Sequence, residues 1–263
     1  LLTGGFGWAG IDCSRVEEAE GIFCGCALIM VDAEGSNIIT IVPGANAHIG
    51  AGYVERNRDV LEKSDVVLID FGVPMEGVAA AAGIAGTAGA EVVVTPAPVL
   101  PIDDELYSNI SVLTPSMGEA SALTGIEVTG EESARRSSEY FHRRGVKTVV
   151  ITMGEAGAFV STLTNPGNGG GNLSEVTDRL IPAHPVKAVD TTGGGDAFTG
   201  ALAFGLDRGD NVFDAARLAC AAAALCVTVR GTTVAMHSLP EVESFLAARP
   251  GKAYPTAEEE MKK

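Results

Sequence analysis

The chain is short of aromatic residues and of positive charge, and it has no long apolar run. Aromatics make up 5% of its 263 residues, while hydrophobic residues reach 46%. A core of that size must therefore be built from Ala, Val, Leu and Ile. Together with 33 glycines, this suits strand and helix layers that approach closely. Lys and Arg number 18 against 34 Asp and Glu, for a formal net charge of −16. No basic stripe is available to neutralise phosphates, which argues against nucleic acid and anionic membrane as partners. Any phosphate ligand has to be held locally, by backbone amides and a metal ion. No apolar stretch approaches the roughly 18 residues of a membrane span. The opening "LLTGGFGWAG" lacks the basic region of a secretory leader, so a cytoplasmic location is expected. With only four His and five Cys, a zinc site is not expected. Cys24 and Cys26 form a C-x-C pair, and the thiols are read as free and buried.

What is present from residue 22 onward is alternation. "CALIMVD" and "IITIV" read as two strands joined through "AEGSN", a hairpin-type turn. "SDVVLIDF", "EVVVT", "SVLTP" and "KTVVITM" are short, nearly continuous apolar runs, the pattern of strands buried on both faces. Helical patterns separate them: "AGYVERNRDVLEK", "MEGVAAAAGIAGTAG", "GEASALTG" and "EESARRSSEYFHRRG". The order β-α-β-α predicts an α/β three-layer sandwich, with a mostly parallel sheet and helices on both faces. The stretch "LTNPGNGGGNLSEV" at 163–176 has no strand-to-helix context and reads as a surface turn. The late chain reads as a buried helix, "RLACAAAALCVTVRG", a loop, the amphipathic "PEVESFLAARP", and a frayed charged tail. One domain over 1–263 is expected, with 22–46 as a strand-pair segment inside it.

The chemistry concentrates in "DTTGGGDAFTG" at 190–200. A helix start leaves its first N–H groups without partners and carries partial positive charge. Glycines let such amides crowd onto one anion, so Gly193, Gly194 and Gly195 make a candidate anion hole. Asp196 stands beside it. Alone, such a motif reads first as a glycine-rich loop with Asp196 as a helix N-cap; read for chemistry, the carboxylate does not bind the anion but is placed to take a proton from a nucleophile approaching it. An anion hole with an adjacent base is the layout needed for phosphoryl transfer to an alcohol.

"AVDTTGGGDAFTGAL" resembles the second signature of the ribokinase-like (PfkB) carbohydrate kinases, D-T-x-G-A-G-D. "GCALIMVDAEGSNIITIVPGANAHI", "TPAP", "LTPSMGEASALTG", "VVITMGEAGAFV" and "LACAAAALCVTVRGT" resemble further segments of that family, in order, over roughly 12–250. The resemblance implies the family's sandwich with a small β lid. It also implies transfer of the ATP γ-phosphate to a sugar hydroxyl, the 5-hydroxyl of D-ribose by the nearest motifs. Asp196 would be the base, facing the sugar, and Gly193–Gly195 would hold the γ-phosphate. Ser116, Thr152, Gly154, Glu155, Ala156, Gly157, Gly195 and Cys220 would line the nucleotide site. Glu119 would act through magnesium and its waters. Asp190, with Thr192, Cys226, Val229, Gly231 and Ala235, would match a potassium site. A homodimer is a further implication of the strand pair.

The chain departs from the family pattern at several positions. The opening strand, with its sugar-binding Asp and the G-G-K-G-A-N loop, has no counterpart here, so the family's first quarter is missing and an exposed sheet edge is expected. Ser116 stands for the Asn of N-x-x-E, Thr95 for the Asn of N-P-A-P, Gly72 for an acid, and Ala235 for a Ser. Three readings stay open: a ribose kinase, a related sugar or nucleoside kinase, and a catalytically impaired nucleotide-binding relative.

Overall fold

In the computed structural model, residues 5–7, 9–31, 37–163 and 175–249 are described. Residues 32–36, which hold most of the expected turn, the glycine-rich stretch from 164 to 174 and the tail from 250 lie outside the described residues. Strands β1 (Cys26–Val31) and β2 (Asn37–Val42) pair antiparallel as a separate two-stranded sheet. The main sheet has six strands in the order of the chain: β3 (Val66–Asp70), β4 (Glu91–Thr95), β5 (Val112–Leu113), β6 (Thr148–Thr152), β7 (Ala158–Leu163) and β8 (Val176–Ile181). The ladders from β3 to β6 are parallel, and those joining β6, β7 and β8 are antiparallel.

The continuous apolar runs are double-sided, as their composition demands. Val92 and Val94 of β4 enter one core with Val149, Ile151, Leu113 and Phe141. Val93, Val112 and Val150 point the other way, into a core with Phe198, Leu202 and Ala216. Alternate side chains of a strand face opposite ways, so each all-apolar strand needs a helical layer on both sides. The helices Met75–Ala88 and Glu131–His142 serve the first face, and Gly194–Asp207 and Val212–Cys226 serve the second. Val92, Val93 and Val94 are fully buried, and each such side chain contributes about 1.5–3 kcal/mol. The Ala-rich helix Val212–Cys226 starts at Asn211, whose side chain accepts from the Phe213 and Asp214 amides, and its small residues let it lie close to its neighbour.

Two local differences from expectation have simple causes. The helical pattern at 51–63 breaks at Asn57 into Ala51–Arg56 and Arg58–Leu61, and Asn57 takes φ −109° there. Its side chain turns back to the Tyr53 carbonyl, the competition with helix that Asn offers. Cys24 and Cys26 are exposed rather than buried, while Cys220 and Cys226 are buried. The two-stranded sheet has Leu28, Met30, Ile41 and Val42 exposed as well, so Cys26 at its start, like Cys24 just before it, faces solvent. At the edge of the main sheet, β3 pairs with β4 alone, and its Leu68 is 46% exposed. Among the described residues, no helix is long and apolar enough to cross a membrane.

Candidate functional site

The C-terminal ends of β4 and β6 converge on the start of the helix Gly194–Asp207. Thr95 Oγ1, at the end of β4, lies 3.3 Å from Thr199 Oγ1. Ser116 bridges in parallel to Thr152, the last residue of β6. Ligand sites in sheets of this kind form at such strand ends. Gly193 precedes the helix with φ 81°, a left-handed conformation that costs other L residues roughly 1 kcal/mol or more. That turn folds the Gly194 amide back onto the Thr191 carbonyl at 3.2 Å. The anion hole is thereby revised: Gly194 is buried and its amide engaged, while the amides of Gly193, Gly195 and Asp196 find no protein acceptor among the described residues. Gly195 and Asp196 are exposed, and nothing lies within 4 Å of a Cβ added at Gly195. The turn therefore opens to solvent and not into packed protein.

In front of it lies a cavity of about 560 Å³. Of the residues expected to hold a nucleotide, Thr152, Gly154, Glu155, Gly157, Gly195 and Cys220 line it, and Ser116 and Ala156 do not. Ala156 instead closes the 3₁₀ turn through its amide to the Met153 carbonyl. The Cys220 thiol is pushed up to about 12 by burial, so it is an apolar, un-ionised wall group. Sequence reasoning missed the stretch around Ala183, His184, Pro185 and Val186, and also Ala223 and Ala224. Ala223 and Ala224 were within reach of inference, because they share a helix face with Cys220 at spacings of three and four. No motif marks the 183–188 segment.

Ser116 and Glu119 form a reciprocal cap. The Ser116 hydroxyl accepts from the Glu119 amide at 3.3 Å, and the Ser116 amide donates to Glu119 Oε2 at 2.7 Å. Glu119 Oε1 takes no part in that cap. No group of three or more His, Cys, Asp or Glu side chains able to hold a metal occurs among the described residues. A magnesium ion would fit here only in the manner usual for that ion, through one carboxylate, ligand phosphates and water.

The residues expected around a monovalent cation do come together. Ala235, Cys226 and Ala197 pack as one buried cluster, with Val229 against it. Asp190 closes the loop on its other side: its carboxylate accepts from the Thr192 amide and, at 3.0 Å, from the Gly231 amide. The Thr192 hydroxyl, then the Gly231 and Thr192 amides, hold the Asp190 carboxyl at about 2. The neighbouring Cys226 thiol is raised by burial first and then by the charges of Asp196 and Asp190.

A carboxyl depressed in the folded state takes up its proton more readily in the unfolded chain. The Asp190 contribution to stability is therefore complete above its ordinary value of 3.8 and is lost as pH falls toward about 2. Thermal melts from pH 6 to pH 2 should show Asp190→Asn less sensitive than the parent between about pH 4 and 2. Identical slopes in that window would contradict the hydrogen-bonded carboxylate.

The family described as pfkB family carbohydrate kinase matches residues 6–239. The ribokinase of Haemophilus influenzae is 34% identical over 245 residues, covering 93% of this chain and 76% of that protein. The crystal structure of ribokinase from Thermotoga maritima aligns with a TM-score of 0.76 and 31% identity, over 94% of this chain and 76% of that one. The Arabidopsis thaliana ribokinase complexed with ribose and ATP aligns with a TM-score of 0.79 and 28% identity, over 90% and 73%.

Proposed function

The chain belongs to the pfkB family of carbohydrate kinases, and from that premise we propose that it transfers the γ-phosphate of ATP to the 5-hydroxyl of D-ribose. The observation that carries the reading is the open turn at Gly193–Asp196, with unpartnered amides, beside a cavity lined by Thr152, Gly154, Gly157 and Cys220. In this reading the cavity takes the nucleotide, its apolar end around Cys220 and Ala223 receiving the base. The terminal phosphate meets the amides of Gly193, Gly195 and Asp196. Charge that builds on the transferred group is stabilised there by fixed dipoles, without reorganisation. Asp196 receives the proton of the attacking hydroxyl while the phosphate is held in line. Magnesium, carried by the nucleotide, would supply charge neutralisation at the phosphates, with Glu119 as its side-chain contact through water. The ribose reading is supported by the ribokinases among the most similar relatives.

A monovalent cation belongs to the same reading. In this reading the carbonyls of Thr192, Cys226, Val229 and Gly231 would supply the oxygens, on the loop that Asp190 ties together through the Thr192 and Gly231 amides. Carbonyl oxygens with a single carboxylate suit a weakly hydrated ion such as potassium, and Ala235 brings no oxygen of its own. The test is an assay with Mg·ATP and D-ribose at several potassium concentrations, run against 2-deoxyribose and a nucleoside. Formation of ribose 5-phosphate, with turnover rising with potassium, is the expected result. Phosphorylation of another acceptor alone would reassign the substrate, and a flat potassium response would remove the cation.

A further inference from the structure

We propose that Thr114, Thr95 and Thr199 form a one-directional hydrogen-bond relay that positions the anion-binding turn, with Thr199 as its last member. The inference rests on the kinase reading above but adds residues that the reading does not use. Thr114 Oγ1 lies 2.8 Å from Thr95 Oγ1. Thr95 Oγ1 lies 3.3 Å from Thr199 Oγ1, and Thr199 Oγ1 lies 3.0 Å from the Gly195 carbonyl oxygen. Each hydroxyl has one proton to give. The Gly195 carbonyl can only accept, so Thr199 donates to it and must accept from Thr95. With the Thr95 proton engaged, Thr114 donates to Thr95, sharing its proton with the Val94 carbonyl at 3.1 Å. Four contacts thus draw on three protons, and the direction requires the Thr114 proton to be shared between Thr95 and the Val94 carbonyl.

A helical Thr bonding the carbonyl four residues back is ordinary and by itself signifies nothing. The link onward to β4 is different, because it ties the first turn of this helix to the end of the strand facing the site. Thr199 and Thr114 are buried, where an unmatched hydroxyl costs about 1–3 kcal/mol. The Gly195 carbonyl also belongs to the peptide unit that carries the Asp196 amide. A hydroxyl on that oxygen holds the plane of the peptide and strengthens its N–H as a donor. The relay thus sets both the aim of one anion-binding amide and the position of Asp196.

Thr199→Val keeps shape and removes the donor, while Thr199→Ser restores the hydroxyl without the methyl. With Mg·ATP and ribose, Thr199→Val should lose about 10-fold in kcat, within the range for a displaced reacting geometry, with KM for ATP changed less than about threefold. Thr199→Ser should recover most of the loss, and Thr95→Val should fall in the same direction by less. A folded Thr199→Val with parental kcat, or a loss that Thr199→Ser does not recover, overturns the relay; should Thr199→Val not fold, Thr95→Val decides by the same split. Amide hydrogen exchange at residues 194–197 reads the relay without turnover: faster exchange in the Val variants supports it and unchanged rates reject it. An inactive parent would instead remove the kinase reading, leaving exchange to judge the relay.

Discussion

Asp196→Asn should abolish nearly all phosphoryl transfer while leaving nucleotide binding intact. Asn matches Asp in size and hydrogen-bonding reach but cannot accept a proton from the sugar hydroxyl. Removing a positioned general base costs roughly 10²- to 10⁴-fold in rate, or about 3–5 kcal/mol in the barrier. The side chain is exposed, the third residue of the helix, and makes no hydrogen bond to protein among the described residues. Its replacement should therefore leave the melting temperature nearly unchanged. The affinity for Mg·ATP should hold or tighten, because a carboxylate beside a bound phosphate repels it. A titration of ATP into the variant, paired with a single-turnover assay, separates these effects. Full activity would overturn the base assignment. A loss of activity that tracked a loss of ATP affinity would reassign Asp196 to binding.

That prediction was legible before any coordinates, because "TTGGGDAF" states its own chemistry: glycines and an acid at the start of an apolar helix. The layers were legible for a similar reason. "EVVVT" and "TVVIT" have no polar face, so they must be covered on both sides, and the two cores found around Val92 and Val93 do this; "DVVLID", at the sheet edge, buries Val67 and Ile69 but leaves Leu68 46% exposed. Less legible were features whose cause lies in another part of the chain. In β8, "VTDRLI" carries Thr177, Asp178 and Arg179 where a core strand would carry apolar residues. Asp178 is held by Arg135 at 2.8 Å, a partner 43 positions away that no local pattern reveals. The cavity wall at 183–188 is positioned by where β8 ends, so its residues needed no signature. The engaged amide of Gly194 was hidden too: three consecutive glycines look equivalent in sequence, and only the left-handed turn at Gly193 distinguishes them.

Gly157→Ala should lose both stability and nucleotide affinity, by more than any other single methyl addition along the cavity. Gly157 sits at φ 105°, and a Cβ there would lie 2.0 Å from the Ile181 carbonyl oxygen and 2.5 Å from the Ala183 amide. Neither atom is the tip of a flexible side chain, so relief requires the backbone at 181–183 to move. At φ 105° and ψ −127° the backbone lies in a sparsely populated region that costs an L residue about 1–3 kcal/mol, and overpacking against fixed neighbours adds about 1–3 kcal/mol. The displaced backbone leads directly into Ala183 and His184, which line the cavity together with Thr152 and Gly154. Damage to stability and to the site should therefore appear together. Gly154→Ala is the matched control: Gly154 also has positive φ, at 56°, but nothing lies within 4 Å of its added Cβ. It should cost about 1 kcal/mol of backbone strain and leave nucleotide affinity within about threefold. Urea unfolding and ATP titration of both variants make the comparison. If Gly157→Ala proved no worse than Gly154→Ala in either measurement, the close approach of β8 to this turn would not be what shapes the nucleotide pocket.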